Sequence, residues 1–85
     1  MPYIKQNDRD DWDEIVSSMN LDPAYVSVGD LNYLVTKILL SYGPEKYADF
    51  NALVGMLECC KLEFYRRAVA AYEDEKIKEN GDVYV

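Results

Sequence analysis

Histidine is absent from this chain of 85 residues, and cysteine occurs only as the adjacent pair Cys59 and Cys60. The first absence removes the usual general base near neutral pH and the commonest nitrogen ligand of zinc. Neighbouring side chains on a helix diverge by about 100°, so the two thiols cannot bridge each other. We therefore predict no metal, no cofactor and a reducing, cytoplasmic setting. A Cys59 nucleophile would have no histidine to activate it.

Basic residues and long apolar runs are also scarce. Nine Lys and Arg stand against 16 Asp and Glu, which gives a net charge of −7. This balance disfavours binding to nucleic acid polymers, whose affinity depends on cations that meet phosphates. It is still compatible with a small nucleotide, which needs only a few local donors. The longest apolar stretch, residues 34–40, is too short to span a bilayer, and the segment MPYIKQND has no apolar signal core.

The length predicts one helical domain over residues 1–85. A domain this small buries a modest core and usually needs additional burial to be stable. Disulfides and metals are not available here, so self-association is the expected supplement.

Apolar spacing predicts two helices in the first half of the chain. The first has one apolar face and begins at Asn7 or Asp8, and its many acids suit a helix start better than a metal site. The second begins at Ser27 or Asp30 and ends at Gly43, which precedes a proline. The apolar residues of the first helix are Trp12, Ile15, Val16 and Met19, and those of the second are Leu31, Leu34, Val35, Ile38 and Tyr42.

A third, long helix is predicted over about residues 46–80 and organises the chain. It carries two apolar stripes about 100° apart, which together cover about 200°, whereas one packed face needs only about 100°. The first stripe is Phe50, Leu53, Leu57, Cys60, Phe64, Ala68 and Ala71. The second is Tyr47, Val54, Leu62, Tyr65, Val69 and Tyr72. Either the first two helices cover both stripes within one chain, or another copy covers one of them.

We predict the second arrangement, a homo-oligomer. The residues expected at its interface are Val54, Leu62, Tyr65, Val69 and Tyr72. Gly55 lies inside the long helix and is expected to mark a close crossing with another helix. The apolar pairs Tyr3-Ile4 and Val83-Tyr84 predict short extended termini that are ordered, either packed on the helices or paired as strands. The fold class is therefore all-α.

The basic side chains of the long helix form a cluster with aromatic neighbours. Arginine offers forked donors for phosphate or carboxylate, and tyrosine offers a stacking face. The candidate ligand-binding residues are Lys61, Tyr65, Arg66, Arg67 and Tyr72, with Tyr33 from the second helix. Because Arg66 and Arg67 diverge by about 100°, two copies would each supply one arginine to a shared site. In the alternative, the cations pair along the helix with Glu58, Glu63 and Asp74.

Carboxylates in the same helix suggest one enzymatic alternative. Helical pyrophosphohydrolases hold magnesium between acids on facing helices, and Glu75 and Glu79 have the required spacing. The second helix supplies only Asp30, at its start. We therefore predict no catalytic residue and no enzyme, with the magnesium-dependent hydrolase as the alternative.

Four segments in order, MPYIK, GDLNY, ECCKLEFYRR and YEDEKIKENGDVY, resemble a family of small uncharacterised proteins from bacteriophages, bacteria and archaea. The resemblance implies a cytoplasmic accessory protein that acts on a host process, and it carries over no catalytic residue. The expected function is non-catalytic binding by a homo-oligomer, with a nucleotide-type signal of host defence as the ligand. The alternative is an adaptor that docks on a host or virion protein through an apolar helix face.

Overall fold

The computed structural model describes residues 2–84 and confirms an all-α chain of three helices with no strand in that range. A short 3-10 turn, Gln6–Asp8, leads into α1, Arg9–Ser18, and α2 spans Val28–Tyr42. The third helix, α3, runs through Tyr47–Phe64, Tyr65–Val69 and Ala70–Asn80, and its middle part is π-helical. Its 34 residues match the predicted range.

The chain divides into two compact units, and the boundary lies within α3. One unit is Pro2–Asn51, and the other begins at Ala52. This division does not test the prediction of a single domain. Met1 and Val85, the outermost residues of the predicted extended termini, lie outside the described residues.

The start of α2 is specified by a reciprocal pair of hydrogen bonds. The Ser27 hydroxyl accepts a bond from the Asp30 backbone N–H at 3.0 Å, and the Asp30 carboxylate accepts one from the Ser27 N–H at 2.8 Å. This is a capping box, so both predicted capping residues take part. The bonds to Ser27 lower the pKa of the Asp30 carboxyl below its usual 3.8.

Ser27→Ala should destabilise α2 by about 1 kcal/mol, because the substitution leaves the Asp30 N–H without its acceptor. The bonds to the Asp30 carboxylate stabilise the helix above the usual pKa of that group and are lost as the pH falls through its lowered folded-state value. Urea unfolding followed by circular dichroism should show a lower stability of Ser27→Ala than of the wild type at neutral pH. It should also show a lower stability of the wild type near pH 3 than at neutral pH. Ser41→Ala, at an exposed position in the last turn of the same helix, is the matched control. An equal loss in the control would contradict the capping role.

Glycine terminates α2 and α3, as expected. Gly43 adopts φ 79° and Gly81 adopts φ 86°, backbone conformations that side chains with a Cβ rarely take. After Asn80, the Gly81 N–H still bonds to the Ile77 carbonyl at 2.8 Å, and the chain then leaves the helix in a turn.

The terminal segments do not pair as strands within the described range, so that alternative is wrong for residues 2–84. The N-terminal segment is instead tied to α1, because the Arg9 guanidinium donates to the Ile4 carbonyl at 2.9 Å. The C-terminal segment is turned by Asp82, whose carboxylate accepts the Tyr84 N–H at 2.8 Å. Both arrangements satisfy backbone groups locally, without a ladder.

No side chain among residues 2–84 is buried. The residues of both apolar stripes of α3 are exposed or half-buried, and none is fully buried. The apolar residues of α1 are exposed as well. A Cβ added at Gly55 would meet no atom within 4 Å, and a crossing with a helix of another copy at this position stays a prediction.

Candidate functional site at the π-helical segment

The π-helical segment Tyr65–Val69 lies at the centre of the predicted ligand cluster and contains both arginines. Its hydrogen bonding is direct evidence for the wider turn, because the Ala70 N–H bonds to the carbonyl of Tyr65, five residues earlier. An α-helix closes over four residues. The segment therefore inserts one extra residue, and everything after it is rotated by about 100° relative to a regular helix.

The contact between Tyr65 and Glu73 reports this rotation. Eight residues of regular α-helix place two side chains about 80° apart, and the inserted residue reduces the difference to about 20°. The Tyr65 hydroxyl donates to the Glu73 carboxylate at 3.1 Å. A pair that sequence spacing would separate is thus brought onto one side of the helix.

Two of the three predicted cations are held by acids on their own helix. The Lys61 ammonium lies 2.9 Å from the Glu58 carboxylate, and the Arg66 guanidinium lies 2.8 Å from that of Glu63. These are the surface pairs of the alternative interpretation. The pair of Lys61 with Glu58 is exposed on both sides, and such pairs contribute little stability, whereas the Glu63 side chain is only 21% exposed.

Arg67 differs from its neighbours. Among the ion pairs between residues 2–84, none within 4.0 Å involves Arg67, and its side chain is exposed. A guanidinium in this state keeps its five donors for a phosphate or carboxylate from outside the chain.

The two further tyrosines of the predicted site are stacked with lysines. The Lys76 ammonium lies 5.4 Å from the centre of the Tyr72 ring, and that of Lys37 lies 5.8 Å from the Tyr33 ring. Tyr33 belongs to the other compact unit, Pro2–Asn51. The other five predicted residues lie along about 16 Å of α3 and do not converge on one point within a single chain. They are Lys61, Tyr65, Arg66, Arg67 and Tyr72.

A cleft of about 460 Å³ lies in this unit, and it was not predicted. It lies between the helix and the turn that follows Gly81, and Tyr65 is its only member from the predicted ligand set. The other lining residues are Glu73, Lys76, Ile77, Asn80, Gly81, Asp82, Val83 and Tyr84. The stop signal Asn80-Gly81 indicated a turn, but the inserted residue that aligns Tyr65 with Glu73 left no sign in the spacing.

Glu73 raises the pKa of the Tyr65 phenol above its usual 10.0, first because its carboxylate accepts the phenolic hydrogen bond and second because its negative charge opposes phenolate formation. The contact therefore stabilises the chain below about pH 10 and is lost as the pH rises through the raised pKa.

Glu73→Gln should lower the Tyr65 pKa, because the amide carries no charge. Ultraviolet titration of phenolate absorbance, with Tyr65→Phe used to assign the transition, measures the change. Glu79→Gln, which removes an acid that pairs with Lys76, should leave this transition where it is. An unchanged pKa in Glu73→Gln would contradict the contact.

The carboxylates do not gather into a metal site in the described part of the chain, where no group of three metal-ligating side chains is close enough to share an ion. Glu75 pairs with Lys78 at 3.3 Å, and Glu79 pairs with Lys76 at 3.1 Å. The spacing on which the hydrolase alternative depended is thus used for ion pairs along the helix. Both cysteines are free and exposed.

The residues predicted at the oligomer interface remain accessible. Val54 is 64% exposed, Leu62 57% and Tyr72 62%, and Tyr65 is about half exposed. Val69 is the most covered of the five, without being buried. No helix within residues 2–84 is long and apolar enough to cross a membrane.

Comparison with known proteins identifies a family and nothing narrower. No curated protein and no solved structure matches the chain. One family model, described as a domain of unknown function (DUF6899), matches residues 1–83. Because the match covers nearly the whole length, from the first segment of the predicted resemblance into the last, the chain belongs to the DUF6899 family.

Proposed function

We propose that this protein is a non-catalytic binding protein that works as a homo-oligomer. The observation that supports the proposal best is that none of residues 2–84 is buried, although 49% of the chain is hydrophobic. Apolar side chains left in water forfeit the main favourable term in folding. A further surface must therefore cover them.

The area to be covered is large. On α3 alone, Val54 is 64% exposed, Leu62 57% and Phe64 66%. A stable interface needs about 800 Å² from each partner. Another copy of the chain is always present at the same concentration and carries the same apolar faces, which favours self-association.

The ligand that we propose is a small anionic, nucleotide-type molecule held between copies. Arg67 is the cation of the cluster that has no ion-pair partner among residues 2–84, and the Arg66 side chain is 65% exposed beside Glu63. The net charge of −7 repels anions at long range, so the site has to be local and partly desolvated, where arginine pairing gains most. Two copies would bring one arginine each, and tyrosines would supply stacking faces.

The setting that we propose is the cytoplasm of a phage-infected cell, where the protein would remove a nucleotide signal of host defence. The support is the resemblance to phage proteins and the absence of any thiol pair able to bridge within the chain. Sequestration requires only affinity and abundance, and a small oligomer without catalytic residues suits it.

A second candidate function is an adaptor that docks on a host or virion protein. The exposed apolar face of α1 favours it, because Trp12 is 62% exposed and Val16 55%. This face belongs to α1, a different helix from the one through which we propose that copies associate.

Native mass spectrometry of protein purified from infected or expressing cells tests both proposed functions, the ligand-binding oligomer and the adaptor. A mass of at least two chains with a stoichiometric small-molecule adduct supports the ligand-binding oligomer. A second protein in fixed ratio supports the adaptor. A bare 9.8 kDa monomer at micromolar concentration would contradict both functions.

A further inference from the structure

The π-helical segment changes which apolar side chains of α3 share a line. In a regular helix, Phe64 would be followed on its line by Ala68 and Ala71. The inserted residue rotates the later part of the helix by about 100°, so Val69 and Tyr72 take those places below Phe64. Two alanines are thus replaced on that line by a valine and a tyrosine, which offer much more apolar surface.

We infer that the π-helical segment creates one continuous apolar seam, and that this seam packs against the same seam of a second copy. The inference rests on the proposed homo-oligomer and specifies how it is built. The seam consists of Leu53, Leu57, Cys60, Phe64, Val69 and Tyr72, none of which is buried within the chain. It runs for about 28 Å along the helix, which is long enough for a helix–helix interface.

Charge favours a second copy as the occupant. The stretch from Ala52 to Tyr72 carries two acids, Glu58 and Glu63, against three cations, so it has one net positive charge while the whole chain has −7. Two copies can therefore approach along this stretch with less repulsion than acts between the more highly charged rest of their surfaces. Phe64 is 66% and Tyr72 62% exposed within the chain, so the seam leaves apolar surface for a second copy to cover.

When the seams of two copies pack against each other, the contact is isologous, because each copy contributes the same residues. The π turn is then a specificity device, since a regular helix of the same composition would split its apolar surface between two lines. Wide π turns inside α-helices are uncommon and concentrate at functional positions.

Cysteine scanning tests the register with small substitutions. The background replaces Cys59 by serine and Cys60, a seam residue, by the apolar alanine, and its oligomer mass is first checked against that of the wild type. In it, Val69→Cys and Ala68→Cys are labelled with a maleimide at concentrations above and below the assembly midpoint. The seam predicts at least tenfold slower labelling of Val69→Cys in the assembled state, and no concentration dependence for Ala68→Cys. Protection of Ala68→Cys, or equal rates in both variants, would overturn the inference.

Aspartate substitution gives an independent readout. Val69→Asp should shift the sedimentation mass to the monomer, and Ala68→Asp should leave the wild-type mass, with helicity followed by circular dichroism in both. If the wild type is an oligomer and only Ala68→Asp dissociates, the inferred seam is wrong and the proposed homo-oligomer is still supported. A wild type that is monomeric throughout would remove the homo-oligomer itself.

Discussion

Diluting this protein should unfold it. With no buried side chain in residues 2–84, a single chain lacks the apolar burial that offsets the entropy of ordering a backbone, about 1–2 kcal/mol per residue. Folding and assembly should therefore be one equilibrium, as in obligate dimers without a stable folded monomer.

The size of the effect follows from mass action. For a dimer, each tenfold dilution costs about 1.4 kcal/mol of stability. With the usual unfolding entropy for two chains of this length, the melting temperature should fall by about 4 °C per tenfold dilution. Thermal unfolding followed by circular dichroism from about 1 to 100 μM covers a range of about 8 °C.

A tandem dimer, in which two copies are joined in one chain by a flexible linker, is the matched control. The linker makes the association intramolecular, so the melting temperature of the tandem dimer should not depend on concentration. A wild-type melting temperature that is equally independent of concentration would mean that the single chain is stable, and the argument from exposed area would fail.

Replacing Arg67 by alanine should lower the affinity for an anionic nucleotide by roughly ten- to hundredfold. A hydrogen bond to a charged group contributes about 1.5–3 kcal/mol, and Arg67 has no ion-pair partner among residues 2–84 with which a ligand must compete. Arg66→Ala should also weaken binding, but its guanidinium must first leave Glu63. Calorimetric titration measures both, with a nucleotide chosen by its shift of the wild-type melting temperature.

Lys78→Ala is the control for lost positive charge, because Lys78 is a cation of the same helix that pairs with Glu75 outside the cluster. Its affinity should match the wild type apart from a small long-range term that salt removes. All three variants should keep their helicity and oligomer mass, since exposed substitutions change stability by only about 0.5 kcal/mol. If both single variants, Arg66→Ala and Arg67→Ala, bind the nucleotide with wild-type affinity, the arginine-site proposal is wrong.

The limits of the helices could be predicted because local chemistry sets them. Ser27 and Asp30 exchange hydrogen bonds across three residues, and Gly43 and Gly81 supply the left-handed or otherwise unusual backbone at helix ends. The pairing of Lys61 with Glu58 is equally local. Such contacts depend on neighbours within one turn, so spacing alone indicates them.

The π-helical turn could not be predicted in this way. Regular spacing continues through Tyr65–Val69 as if the helix were α-helical, and the extra residue becomes visible only in the bond from the Ala70 N–H to the Tyr65 carbonyl. The extra residue brings the Tyr65 hydroxyl within hydrogen-bond distance of Glu73, eight residues further along the chain. The cleft beside Tyr65 depends on the same turn and was missed for the same reason.

From its sequence alone, this protein is all-α, acidic and organised around a helix with more apolar surface than one face can use. Those properties follow from composition and from periodicity, which are local. The tertiary structure decided which apolar residues share a line, that Arg67 rather than Arg66 lacks an ion-pair partner among residues 2–84, and that none of those residues is buried. These three properties depend on the cumulative rotation along a long helix and on the side chains that lie next to one another as a result. Sequence spacing over one or two helical turns does not contain that information.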